Sequence, residues 1–265
     1  MANPIKPNNW DDLTVRITSS IAMVAIGAVG VVAGGIWFQM MVVFVAAIMI
    51  WELWKMIAPH RDTAAALLAA ATTAILSAML TDAGSPWFLF LVVPISGALV
   101  LKKLRFTFLM YALMTLVASY ALVQFRDDFG ALWIIWLLLV VIASDVLGYF
   151  AGRTFGGPKF WPSISPKKTW SGTAAGWIGA GGIGMIFAIS TDAGMILVPL
   201  SMLLSFAGQM GDIAESAIKR RTGIKDSSTL IPGHGGVLDR FDALLGVAFV
   251  MFIAVNIMNL SGVAF

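Results

Sequence analysis

The sequence predicts an all-α polytopic membrane protein with about nine transmembrane helices and one charged end. Three observations predict it. Only 12% of the 265 residues are charged and 59% are hydrophobic, where soluble domains carry about 25% charged residues. The mean hydropathy is +0.90. Apolar stretches of the ~20 residues that cross a bilayer recur along the chain.

The polar start "MANPIKPNNWDDLTVR" runs into apolar sequence at Ile17. That apolar run continues too far for a cleaved signal peptide, so a first membrane helix is expected there, without a lipidation signal. Spans are expected near 17–35, 36–57, 63–81, 85–101, 106–124, 129–151, 173–190, 194–212 and 241–260. The first two are nearly continuous, with Gly34 to Trp37 as their turn. The seventh is rich in Gly and Ala, which suits close helix packing and makes a homodimer plausible. No internal repeat interrupts the pattern, and residues 1–265 read as a single integral membrane domain. The chain has no cysteine, which excludes disulfides and thiolate metal sites.

The net charge of +3 and pI near 9.3 need no nucleic acid to explain them. Lys and Arg accumulate in cytoplasmic loops. With the N-terminus inside, the nine spans put every Lys and Arg but Arg126 on one side. An integral membrane protein with its chemistry on the cytoplasmic face is the expectation. Two cytoplasmic segments, 152–172 and 213–238, are longer than a turn requires, and the chemistry is sought there.

Asp212 ends one apolar run, and Asp239 and Asp242 open the next. Carboxylates at membrane depth cost about 2.5–3.5 kcal/mol each and are functional by default. Asp239 and Asp242 stand three apart, on one face of a helix. Hard oxygen ligands converging at a membrane–water boundary suit Mg²⁺ bridging to phosphates; helix capping is the alternative for either residue alone. Lys219, Lys225 and Arg240 interleave with these acids, as expected around a metal-bound polyphosphate. Asp226 is placed to orient Lys225 or join the metal shell. The "PGHGG" turn (Pro232 to Gly236) offers backbone N–H groups to an anion, and His234 is a phosphate contact or an idle loop residue. Lys167 and Lys168 are expected to meet a substrate phosphate. Asp145 is a further polar partner, for Arg153 among others.

At this point "SAIKRRTGIKDSSTLIPGHGGVLDRFD" (Ser216 to Asp242) resembles the signature of the phosphatidate cytidylyltransferases, or CDP-diacylglycerol synthases. Ser216, Lys219, Arg220, Lys225, Asp226, His234, Gly235, Gly236, Asp239, Arg240 and Asp242 all match its spacing. "DVLGYFAGRTFG" (Asp145 to Gly156) and "SPKKTWSG" (Ser165 to Gly172) are similar to the family's other cytoplasmic segment, with Ser171 where many members have Glu.

The resemblance implies a reaction, transfer of the cytidylyl group of CTP to phosphatidic acid. It also implies Mg²⁺ dependence, with a second cation such as K⁺, at Asp212, Asp239 and Asp242. Lys219, Lys225, Arg240, Asp226 and His234 are then expected at the reacting groups. Ser165, Lys167, Lys168, Arg220, Gly235 and Gly236 are expected at the substrates. Two rivals remain: a CTP-dependent polyprenol kinase, which transfers the γ-phosphate, and an ion-coupled transporter. Transport would spread acids through the midplane, whereas these cluster at one interface.

Overall fold

The structure, a computed structural model, describes residues 9–82 and 84–257; Lys6 and the last three residues of the expected ninth span lie outside them. The described chain forms nine α-helices, joined by one 3-10 turn and one β-hairpin: α1 Asn9–Ala33, α2 Gly35–Ile57, α3 Asp62–Thr81, α4 Val92–Val100, α5 Arg105–Phe129, α6 Ala131–Phe155, α7 Trp170–Ser190, α8 Leu197–Thr222 and α9 Leu238–Ile257. Seven of these helices are long and apolar enough to cross a membrane, so the chain is an integral membrane protein of the all-α class.

The fourth expected span differs from its neighbours. A five-residue 3-10 turn, Trp87–Leu91, leads into the nine-residue α4. At about 2.0 and 1.5 Å of rise per residue the pair is roughly 24 Å long, short of the ~30 Å hydrocarbon core. Pro86 starts it in extended backbone and Leu101 ends it in extended backbone. Trp87 packs on Tyr120 and Phe252, while the Val100 carbonyl accepts from Arg61 Nη1.

The eighth span runs past its expected end. The helix continues from residue 212 to Thr222, because "IAESAIKRRT" keeps helical spacing and Gly223, at φ 76°, supplies the left-handed stop. Asp212, Glu215 and Lys219 therefore share one helical face rather than lying in a loop. The other long segment holds an unanticipated hairpin of β1 (Lys159–Trp161) and β2 (Ser165–Thr169), paired Lys159 to Thr169 and Trp161 to Ser165. Thr169 caps α7, accepting from Gly172 N at 3.2 Å.

Two apolar clusters fill the bundle. One joins α2, α3, α4, α5 and α9 around Trp54, Leu53, Phe108 and Leu116. The other joins α6, α7, α8 and α9 around Trp136, Leu137, Leu197 and Val247. All the glycines of α7 but Gly182 face neighbours within the chain: a Cβ on Gly176 would meet Gln209 and Ser144, and one on Gly184 the Leu197 carbonyl.

One end of the bundle gathers the basic segments. Arg220 donates to the Ile164 carbonyl of the hairpin, and Arg221 to Thr107 at the start of α5. The other end of α5, about 37 Å away for 25 residues, places Arg126 Nε on the Val31 carbonyl at the end of α1. Single cysteines at exposed Lys167 and Asp127 are thus expected to react with an impermeant maleimide from opposite sides of the membrane. Labelling of both from one side would overturn this arrangement.

Candidate active site

Three carboxylates meet where α8 and α9 cross. One oxygen from each of Asp212, Glu215 and Asp242 lies within 4.8 Å of the others. Helix contact sets this distance. A Cβ on Gly211 would strike the Asp242 carbonyl, and one on Gly246 the Ala207 carbonyl, so these backbones approach as only glycine allows. Glu215 is fully buried. Its Oε2 pairs with Lys219, while its Oε1 is buried without a hydrogen-bond partner. An orphaned carboxylate oxygen beside two further acids is costly unless a cation shares the space. Three hard oxygen donors, one of them orphaned, fit a divalent ion such as Mg²⁺. Tyr111 of α5 is also buried with an unpartnered hydroxyl, within the electrostatic reach of Asp242, Glu215 and Asp212.

Asp239, expected beside Asp212 and Asp242, stands outside this trio, and Glu215 takes the third place. The Asp239 oxygens are already engaged. Oδ1 accepts from Lys219 Nζ at 2.6 Å. Oδ2 accepts from Ser227 N at 2.8 Å, Ser227 Oγ at 2.9 Å and Gly236 N at 2.8 Å. Asp239 thus ties the signature loop to the start of α9 and holds Lys219 against Glu215.

The glycines of that loop are explained by close approach. Gly235 has φ +85° and packs on Asp239 Oδ2, and a Cβ on Gly236 would collide with Ser227 and Glu52. The anion that Gly236 N–H meets is the chain's own Asp239. His234 is held at both ring nitrogens, by Ser19 Oγ at 2.9 Å and Ser20 Oγ at 3.0 Å, which docks α1 on the loop. Arg240 donates to the His234 carbonyl through Nε at 3.0 Å and Nη2 at 2.6 Å. Both residues therefore shape the loop. Lys225 and Asp226 are exposed beside it.

The other side of the trio is cationic. Lys168, from β2, reaches Asp212 Oδ2 at 2.5 Å and the Gln209 carbonyl at 3.3 Å. It lines a cavity of about 440 Å³ with Lys167, Arg153, Asp145, Thr173 and Gln209. Arg153 bonds Tyr149 Oη at 2.9 Å rather than pairing with Asp145. Gln209 is fixed by Trp177 Nε1, which donates to its Oε1 at 3.0 Å. Ser171, at the departure from the family pattern, donates to the Gly156 carbonyl at 2.5 Å and so ties α7 to the end of α6. Ser165 sits in the hairpin opposite Trp161, and Arg220 binds that hairpin's Ile164 carbonyl.

The sequence reading missed Glu52. This fully buried carboxylate of α2 accepts from Ser228 Oγ at 2.5 Å, Leu238 N at 2.6 Å, Val237 N at 2.9 Å and Ser227 Oγ at 3.3 Å. Its one signal was an acid within the apolar run "IMIWELW".

A largely buried acidic trio, joined through Lys168 to a cavity that Lys167 and Arg153 also line, thus sits within a polytopic helical bundle. The model of the Cytidylyltransferase family matches residues 14–258, and the chain belongs to that family. Similar proteins include the phosphatidate cytidylyltransferase of Brucella abortus, 43% identical over 137 residues, 51% of each chain. That of Helicobacter pylori is 44% identical over 131 residues, 49% of each chain. That of Bacillus subtilis is 38% identical over 170 residues, covering 60% of this chain and 63% of that one. The matched stretch spans about half the length of the Brucella and Helicobacter relatives.

Proposed function

We propose that the protein transfers the cytidylyl group of CTP to phosphatidic acid, giving CDP-diacylglycerol and pyrophosphate at the cytoplasmic face of a bacterial inner membrane. The observation that carries this reading is the trio of Asp212, Glu215 and Asp242, joined through Lys168 to the cationic cavity. The similarity to phosphatidate cytidylyltransferases supplies the substrates, and the bias of Lys and Arg supports the cytoplasmic face.

A phosphate oxygen of phosphatidic acid attacks the α-phosphorus of CTP. The new P–O bond forms as the bond to the α–β bridging oxygen breaks, and pyrophosphate leaves with that electron pair. The attacking phosphate monoester is largely dianionic at pH 7, so no side chain need act as base. Catalysis rests on positioning two anions and offsetting their charge. Lys168, Lys167 and Arg153 receive phosphate oxygens from the cavity side. Lys219 holds Glu215 and Asp239 in place. Asp212, Glu215 and Asp242 would hold Mg²⁺, with a second cation such as K⁺ beside it; when bound, Mg²⁺ supplies Lewis-acid neutralisation of phosphate charge.

CTP labelled at either the α or the γ position, supplied with phosphatidic acid and Mg²⁺, tests the reaction. The α-label is expected in chloroform-extractable lipid, with pyrophosphate released. Transfer of the γ-label alone, with CDP released, would make the protein a lipid kinase. Transfer of neither label to phosphatidic acid or a polyprenol would reject the enzymatic reading.

A further inference from the structure

We infer that Glu52, on α2 and outside the signature segments, is a positioning residue that sets the geometry of the acidic trio. Val237 N and Leu238 N are among the amides that a helix leaves unsatisfied at its start. Glu52 accepts from both, at 2.9 and 2.6 Å. A carboxylate there also complements the helix dipole. Glu52 thus caps α9 from another helix, across 186 positions of sequence, and fixes where α9 begins. Asp242 lies one turn further on, with its backbone carbonyl packed against Gly211 of α8.

A second path leads from Glu52 into the trio. Ser227 Oγ contacts both Glu52 Oε2 at 3.3 Å and Asp239 Oδ2 at 2.9 Å. Asp239 Oδ1 accepts from Lys219 Nζ at 2.6 Å, and Lys219 pairs with Glu215. Each acid of the trio therefore has a support. Asp242 is placed by the capped helix, Glu215 by the Ser227–Asp239–Lys219 chain, and Asp212 by Lys168. Glu52 governs two of the three. A bulk filler of the core would not need four donors converging on one buried carboxylate. In lipid such a group is expensive, and here it is tied wholly to the loop that carries the site.

The activity arm of the test rests on the reaction proposed above; a metal-binding arm does not. Wild type, Glu52→Gln, Ser227→Ala and Ser228→Ala are purified in detergent and titrated with Mn²⁺, free Mn²⁺ being read by electron paramagnetic resonance. Thermal midpoints and the Mg²⁺ dependence of lipid labelling from CTP are measured alongside. Loss of an outer-shell partner typically costs about 10–100-fold in metal affinity. Glu52→Gln is expected to weaken Mn²⁺ binding by at least ~10-fold and to raise the half-saturating Mg²⁺ by a similar factor. The KM for CTP at saturating Mg²⁺ should hold within about threefold, well under that tenfold. Ser227→Ala removes no charge and should shift Mn²⁺ binding in the same direction, which separates positioning from simple loss of negative potential. It also decides the matter if Glu52→Gln does not fold.

Variants with lower thermal midpoints but wild-type Mn²⁺ and Mg²⁺ titrations would overturn the inference, leaving Glu52 as a structural group. So would a wild-type protein that binds no Mn²⁺. A wild type that binds Mn²⁺ yet labels no lipid would reject the reaction alone, and the Mn²⁺ series would still decide the role of Glu52.

Discussion

Asp242→Asn, Asp212→Asn and Glu215→Gln are each expected to lower turnover by at least ~100-fold, the several kcal/mol that a metal-stabilised phosphoryl charge represents. Insertion and yield should be unaffected. Burial gives the test a second sign. Two of these acids, Glu215 and Asp242, are buried, and their mutual repulsion opposes folding when no cation is present. In chelator, Asp242→Asn should therefore melt at or above the wild-type temperature. Added Mg²⁺ should raise the wild-type midpoint by mass action and leave the variant's unchanged. Asp239→Asn should look different. Its carboxylate holds three donors from Ser227 and Gly236 together with Lys219, so it should lose thermal stability as well as activity. Retention of more than about a tenth of the wild-type rate by all three trio variants, a cost below ~1.4 kcal/mol each, would reject the site.

The membrane class was legible because hydropathy is a local property, summed over about 20 residues. The span limits were less so. Residues 213–222 were expected within a cytoplasmic segment beyond the eighth span, yet the helix continues through them, and Glu215 was assigned no role. Its neighbours Asp212 and Lys219, at three and four residues' distance, place it on the site face. The signature residues were recognised as a set, but their division of labour depends on contacts between segments. Nothing near His234 in sequence announces Ser19 and Ser20, more than 200 positions away. Nothing near Gly236 announces Glu52. Gly236 N and Arg240, expected at an anion, also meet acceptors within the loop and the start of α9, Asp239 and the His234 carbonyl. Cations and carboxylates carry no mark of whether their counter-charge is a ligand or the chain itself.

The same contact geometry yields the second large effect, at a residue with no side chain. Gly211→Ala is expected to lower activity by about 100-fold, the loss that a misplacement of ~1 Å can cause, and to destabilise the fold by roughly 1–3 kcal/mol as overpacking does. The added methyl would meet the Asp242 backbone carbonyl, with Gly246 N at 3.3 Å behind it. Neither is the movable end of a flexible side chain, so α8 and α9 must separate. Asp212 and Glu215 would move with one helix and Asp242 with the other, opening the 4.8 Å cluster along its only interhelical direction. Gly182→Ala is the control: α7 offers a Cβ there nothing within 4 Å, and Ala is the better helix former by about 1 kcal/mol. That variant should keep full activity and an equal or higher midpoint. Labelling from α-position CTP and Mn²⁺ binding, measured on both variants, check the argument. Wild-type metal affinity in Gly211→Ala would mean that the trio does not depend on this helix contact.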